Sequence, residues 1–204
     1  MAPLLPKTLA ICAFAFGSVL SFSVEVSAAC ANLRDGNTFT VTRNQPFLQT
    51  TSTVQADGSV LEHRSQTRNG KTEKITTTYW NGVAAMDRKS SSSHIQMKAD
   101  KNLRSADLTK PSKTYSAPIE LFINGKKIDQ GTFTIKTVQK TNLSIGGCTY
   151  PVMVVRTSLL REKGAPIYEE ALLSLDAGIL LGNVAMTDDW SPKHGVFFDK
   201  VEAQ

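Results

Sequence analysis

Apolar and polar residues alternate in short runs along most of the chain. Phe39 and Val41 lie on one side of an early run, and Ile75, Thr77 and Tyr79 lie on one side of a later run. An alternation with a period of two is what a β-strand with one buried face produces. No long helical pattern interrupts these runs, and a short helix is expected only at 102–108. The pattern therefore predicts an all-β protein.

Short turn signals separate the runs. Three Asn-Gly pairs stand between them, at Asn69-Gly70, Asn81-Gly82 and Asn124-Gly125. Asn and Gly tolerate a positive φ, so each pair predicts a two-residue hairpin turn, and such turns connect only antiparallel neighbours. We therefore predict an antiparallel meander of about ten strands, including strands at 131–138 and 142–150 and one last strand within 187–204. Because that many strands leave long exposed edges unless the sheet curls, a barrel or a strongly curved sheet is expected.

Residues 1–29 have the order of a secretory signal: a basic start, an apolar run and a small-residue end. Lys7 precedes an uncharged stretch at 8–22, and Ala28-Ala29 offers a cleavage site. The uncharged stretch is shorter than the about 20 residues that a membrane-spanning helix needs. We therefore predict a signal peptide at 1–29 and a single β domain at 30–204, in the periplasm or secreted.

The cysteines support this location. Cys12 lies in the predicted signal, which leaves Cys30 and Cys148 in the processed chain. Two cysteines in an oxidising compartment predict one disulfide. The alternative is a lipidated Cys30 and a membrane-anchored lipoprotein, since such signals also end in small residues before a cysteine. Ser27 stands where those signals usually carry an aliphatic residue, which favours the disulfide.

Positive charge is concentrated in one part of the chain. The whole chain carries a formal charge of +5, and residues 62–113 hold eleven Lys and Arg against five Asp and Glu. Such a stretch suits an anionic envelope component, and the alternative is a set of solvated strand faces. The cations proposed for an anionic partner are Arg64, Arg68, Lys71, Lys74, Arg88 and Lys89. Nucleic acid is not expected, because export separates the protein from it and no aromatic residues are interleaved with the charges.

Residues with catalytic or metal-binding chemistry do not cluster in the sequence. His63, His94 and His194 each lack a second ligand at metal-binding spacing, so neither a zinc site nor a cofactor is predicted. Glu169 and Glu170 are neighbours in an expected strand and point to opposite faces. We therefore predict a protein that is not an enzyme, with a catalytic site invisible in the sequence as the alternative.

Large aromatic residues raise a second kind of partner. Trp80, Phe122 and Phe133 are candidates to line an apolar pocket, because a barrel or cupped sheet of this size holds one apolar ligand. The alternative is that these side chains fill the core.

Four segments carry a resemblance to other proteins. They are 79–88, which joins an aromatic pair to an Asn-Gly turn, the strands at 131–135 and 152–156, and the Asp/Gly turn at 175–180. In these segments the chain resembles a loose group of exported bacterial all-β proteins. The resemblance implies an envelope location and an all-β fold, and it supplies no activity.

The sequence thus predicts an exported envelope protein with a non-enzymatic binding or scaffolding role. A periplasmic carrier or sensor of an apolar or lipid ligand is the alternative that the aromatic residues raise.

Overall fold

The computed structural model describes residues 29–204, so the predicted signal peptide, apart from Ala29, lies outside the described residues. The described chain is an antiparallel meander of thirteen strands in one sheet, which confirms the all-β prediction with more strands than expected. The strands are β1 Thr38–Arg43, β2 Leu48–Val54, β3 Val60–Arg68, β4 Lys71–Trp80, β5 Ala84–Lys89, β6 His94–Ala99, β7 Thr114–Ile123, β8 Lys126–Ile145, β9 Cys148–Arg161, β10 Ile167–Ser174, β11 Leu180–Met186, β12 Pro192–Phe197 and β13 Lys200–Ala203.

The sheet curls strongly without closing. Each strand pairs with the next along the chain up to β12, whereas β13 pairs with β1, so β12 and β13 form the two edges. Only Phe198 and Asp199 separate these two strands, and three Cα steps span at most about 11 Å. A flat sheet of this many strands would be about 58 Å wide. The two edges therefore approach each other at this link, although no backbone pairing joins them in the described chain.

The β8–β9 hairpin corrects the prediction of separate strands at 131–138 and 142–150. A single strand, β8, runs through both segments, with a bulge between Thr137 and Gln139. A bulge takes up an extra residue without ending the strand, so the broken alternation did not mark a strand end. Gly146 and Gly147, at φ 58° and 81°, form the turn into β9. A Cβ on Gly146 would lie 2.9 Å from the carbonyl oxygen of Asp199, so this turn packs closely against the β12–β13 link.

Two of the three Asn-Gly pairs form the predicted two-residue turns. Arg68 pairs with Lys71 across Asn69-Gly70, and the Asn124-Gly125 pair is equivalent. At Asn81-Gly82 the loop includes a third residue, Val83, because Trp80 pairs with Ala84.

Two further expectations needed adjustment. The expected last strand is two strands, β12 and β13. The expected helix at 102–108 is a single 3₁₀ turn, Lys101–Leu103, in which the Asp100 side chain accepts from the N–H of Asn102 at 2.7 Å. Leu103 and Leu108 are nevertheless buried, so this loop packs on the sheet without needing a helix.

The core has two clusters, one in the middle of the sheet and one near its two edges. The first joins β5 to β10 around Ile135 and Met153, and the second joins the strands near both edges around Phe39 and Leu181. The predicted disulfide between Cys30 and Cys148 is present, with a Cα–Cα distance of 5.6 Å, and it ties the start of the domain to the second cluster. Across residues 29–204, no helix is long and apolar enough to span a membrane.

Candidate ligand-binding cavity

A cavity of about 370 Å³ lies inside the curved sheet. Strands β2 to β12 and the Phe198 link all contribute to its wall, because the sheet wraps around the space. Ligand pockets in proteins fall at about 300–1,000 Å³, so this cavity has room for one small ligand.

Most of the cavity wall is apolar. The apolar side chains belong to strands that are far apart in sequence and brought together by the curl. The larger ones are Val83, Ile95, Met97, Leu121, Phe133, Leu159, Ile167, Leu180, Val196 and Phe198. Ile95 and Ile167 remain 37% and 44% exposed, so part of this apolar surface is open to solvent.

One region of the wall is polar and charged. Glu62 and Arg64 are two apart on β3 and therefore share a face, and Arg64 Nη2 lies 3.2 Å from Glu62 Oε1. The Tyr79 hydroxyl on β4 donates to the same carboxylate oxygen at 3.5 Å. Thr50 on β2 is directly opposite Arg64 in the register. Residues on three adjacent strands thus form one polar cluster.

Burial controls the protonation of this cluster. Glu62 is 3% exposed, and this burial raises the pKa of its carboxyl above the ordinary value of 4.5, against the opposing charges of Arg64 and Arg88. Burial and the nearby Glu62 also raise the pKa of Tyr79. The tyrosine therefore keeps its proton at neutral pH and acts as a hydrogen-bond donor to the carboxyl group.

The cluster leaves two buried polar atoms without a partner in the described chain. These atoms are Nε of Arg64 and Oγ1 of Thr50. Buried polar groups in proteins are nearly always hydrogen-bonded, so each exception needs an explanation. Arg88, also in the cavity wall, is exposed and forms no ion pair with any residue of 29–204. The cluster can therefore offer hydrogen-bond donors and positive charge to a bound group.

A second carboxylate, Glu169 on β10, also lines the cavity. Its neighbour Glu170 points to the other face, as neighbours in a strand do, and accepts from Arg156 Nε at 2.9 Å. The Arg156 guanidinium lies 4.7 Å from the ring centre of Trp190. The two glutamates therefore serve different surfaces of the sheet.

The six cations proposed for an anionic partner divide between the two faces of the sheet. Arg64, Arg68, Lys71 and Arg88 share the inner face, since the pairs Arg64–Ile75, Arg68–Lys71 and Thr77–Arg88 are in register. Lys74 and Lys89 lie on the other face, opposite Ser65 and Thr76. The structure thus brings Arg64 and Arg88 together at the cavity and does not join all six into one surface.

The three aromatic residues proposed for a pocket also separate. Phe133 lines the cavity. Trp80 instead packs beside the first core cluster, with the Arg104 guanidinium 5.8 Å from its ring centre. Phe122 lies under the ammonium of Lys98, at 4.2 Å from its ring centre, and is not part of the wall.

Sequence reasoning missed the polar residues Glu62 and Thr50 as site residues. A signal was present, because Val60, Glu62 and Arg64 alternate along one face of β3. A carboxylate and a guanidinium on the buried side of a strand mark either a structural ion pair or a binding site.

Comparisons with known proteins give only distant matches. No protein-family model and no curated protein matches the chain. Among solved structures, the crystal structure of MucB is 14% identical and has a TM-score of 0.36, covering 85% of this chain and 55% of that one. MucB in complex with MucA(peri) is 13% identical with a TM-score of 0.33, covering 83% and 51%. The Pseudomonas aeruginosa MucA/MucB complex is 14% identical with a TM-score of 0.34, covering 81% and 50%.

The chain therefore spans about half the length of these structures. At these TM-scores and identities, the matches assign neither a family nor an activity to this chain.

Proposed function

We propose that this protein is an exported, non-enzymatic binding protein that holds one apolar, lipid-like ligand inside its curved sheet. The observation that carries the proposal is the cavity of about 370 Å³ with its largely apolar wall. Protein interiors are normally packed as densely as organic crystals. An apolar space of this size, open to solvent beside Ile95 and Ile167, is best explained by a ligand that fills it.

The chemistry of the wall supports binding over catalysis. Within the described residues, the lining includes no Ser, Cys, His or Lys. Its most buried carboxylate, Glu62, is already held by Arg64 and Tyr79. Nucleophilic catalysis needs a nucleophile within reach of a base, and the carboxyl group that the Tyr79 hydroxyl contacts is already paired with Arg64. In addition, no group of three or more His, Cys, Asp and Glu in residues 29–204 is placed to hold a metal ion.

Export rests on two independent features. The order of residues at 1–29 is that of a secretory signal. The Cys30–Cys148 disulfide is of the kind that persists in oxidising compartments. Because this bond uses the sulfur that lipidation would modify, it favours a periplasmic or secreted protein over a lipid-anchored one.

The proposal is tested by filling the cavity. We would purify the exported protein with its disulfide formed and titrate it with dodecanol, an uncharged apolar probe, by isothermal titration calorimetry. Ala171 lies in the wall and is 5% exposed, so Ala171→Phe should occupy the space and weaken dodecanol binding at least tenfold. The matched control is Ala165→Phe, at an exposed position outside the wall.

Two measurements complete the test. Thermal unfolding of both variants shows whether the domain stays folded, since overpacking a core costs about 1–3 kcal/mol. Mass spectrometry of an organic extract identifies any lipid that copurifies. The proposal is wrong if the protein neither copurifies with a lipid nor binds dodecanol, or if both alanine variants bind dodecanol as the unmodified protein does.

A further inference from the structure

We propose that the cavity selects a single-chain amphiphile with an anionic head group, a carboxylate or a phosphate, which Arg64, Arg88 and Thr50 bind. This inference rests on the proposed function and adds the chemistry of the ligand's polar end. Three observations carry it: two unpartnered buried atoms, the charge around them and the size of the apolar space.

The unpartnered atoms belong to two residues that face each other across adjacent strands. Nε of Arg64 and Oγ1 of Thr50 are buried without a partner in the described chain. Their residues are directly opposite in the antiparallel register, where the Cβ atoms of facing side chains are about 4.5–5.5 Å apart. Both residues line the cavity, and both groups carry a hydrogen to donate. A carboxylate or phosphate oxygen accepts such hydrogen bonds, and an alkyl tail does not.

The charge near these atoms favours an anion. Glu62 holds Nη2 of Arg64, but burial raises the pKa of Glu62, which disfavours its negative form. Arg88 is close enough to oppose this shift and forms no ion pair in residues 29–204. Glu169, the other carboxylate of the wall, lies on β10. Two guanidinium groups therefore face the space, and burial disfavours the negative form of the Glu62 carboxyl group beside them.

The size of the space limits the tail. Because a water molecule takes up about 30 Å³ in the liquid, the cavity of about 370 Å³ has room for about a dozen groups of that size. This volume fits one alkyl chain of medium length.

The experiment compares four probes with the same tail. Dodecanoate, dodecyl phosphate, dodecanol and dodecyltrimethylammonium are titrated separately into the exported protein at neutral pH. We expect at least one anionic probe to bind about tenfold more tightly than dodecanol, which is the effect of one charge-assisted hydrogen bond. The cationic probe should bind most weakly. The preference between dodecanoate and dodecyl phosphate then separates a carboxylate ligand from a phosphate ligand.

Variants assign the head-group site. Thr50→Val removes the hydroxyl at nearly constant volume, and Arg88→Gln removes a charge at an exposed position. Each should lower the affinity for the preferred anionic probe about five- to tenfold and lower the affinity for dodecanol less, so that the ratio of the two affinities falls. Arg64→Lys keeps the charge but removes Nε, and we expect the same loss. Lys89→Gln is the matched control, because it removes a charge from the same strand on the other face.

The outcomes separate the two proposals. If dodecanol binds as tightly as both anionic probes, or if Thr50→Val and Arg88→Gln leave the ratio of affinities unchanged, head-group selection is wrong while the apolar-ligand function stands. If no probe binds, the proposed function fails and takes this inference with it.

Discussion

The pairing of Arg64 with Glu62 predicts a pH-dependent loss of stability when the arginine is removed. The Glu62 side chain is 4% exposed and that of Arg64 is 24% exposed, so both groups are largely shielded from water. Arg64→Met leaves the carboxyl group buried without its cation. Removing one partner of a buried ion pair costs about 3–5 kcal/mol, and we expect that loss at about pH 8, where the carboxyl group is ionised in the unfolded chain.

At lower pH the loss should shrink. The folded-state pKa of Glu62 is raised above 4.5 by burial, so the folded protein binds this proton more tightly than the unfolded chain does. The stability associated with Glu62 is therefore present in full below pH 4.5 and is lost as the pH rises through the folded-state pKa. Without Arg64 that pKa rises further. Below pH 4.5 the Glu62 carboxyl group is neutral, and the Arg64→Met variant loses only about 1–3 kcal/mol for an unmet hydrogen bond.

Urea unfolding at a series of pH values measures both effects. Glu62→Gln is the control, because glutamine has nearly the same shape and does not titrate, so its stability should depend less on pH. At about pH 8, where the unfolded chain is ionised, the double variant Glu62→Gln/Arg64→Met should be more stable than Arg64→Met alone. The reasoning is refuted if Arg64→Met costs the same free energy at every pH, or if the double variant is no more stable than the single one.

Three further variants test the fold. Cys148→Ser should lower the free energy of unfolding by about 4.9 kcal/mol in the chain-entropy treatment, given a separation of 118 residues between the joined cysteines; urea curves that coincide with those of the oxidised protein would contradict this. Gly82→Ala should cost at least about 2 kcal/mol, because Gly82 has φ +70° and its Cβ would overlap a backbone carbonyl, whereas Gly58→Ala, at φ +78° in open space, should cost less. Side-chain and backbone hydrogen bonds from Ser59 lower the pKa of Asp57 to about 2. The stability that these bonds supply is therefore present above pH 3.8 and is lost as the pH falls through about 2. Acid titration of Asp57→Asn should therefore show a shallower decline than that of the unmodified protein, and an identical decline would count against this role.

Local alternation predicted most strands, but it could not show which strands meet across the cavity. Phe133 was recognisable as inward-facing from the residues around it, and it does line the wall. Phe122 and Leu121 are neighbours in one strand, so the sequence already shows that their side chains point to opposite faces. Leu121 faces the cavity and Phe122 does not. Trp80 ends a strand, where alternation no longer fixes the direction of a side chain.

Odd and even positions along the strands already assign the cations to two different faces of the sheet. Arg68 and Lys71 flank a two-residue turn, so they are cross-strand partners and share a face. Lys74 is an odd number of positions from Lys71 and therefore points to the other face. The same parity places Lys89 opposite to Arg88. The division of the cations between two faces thus follows from the sequence, whereas the direction in which the sheet curls does not, because it depends on the whole set of pairings.

Phe198 and Asp199, which carry the chain from one edge of the sheet to the other, also connect the pairing of the chain ends to the cavity. The last strand pairs with the first, so this contact closes a loop that includes nearly the whole domain and pays the largest loop-closure entropy. The N–H of Asp199 donates to the carbonyl of Thr42 at 2.8 Å, and its carboxylate accepts from the N–H of Asn44 at 2.7 Å. Phe198 is itself part of the cavity wall. The pairing that joins the two ends of the domain and the enclosure of the cavity therefore depend on the same two-residue link.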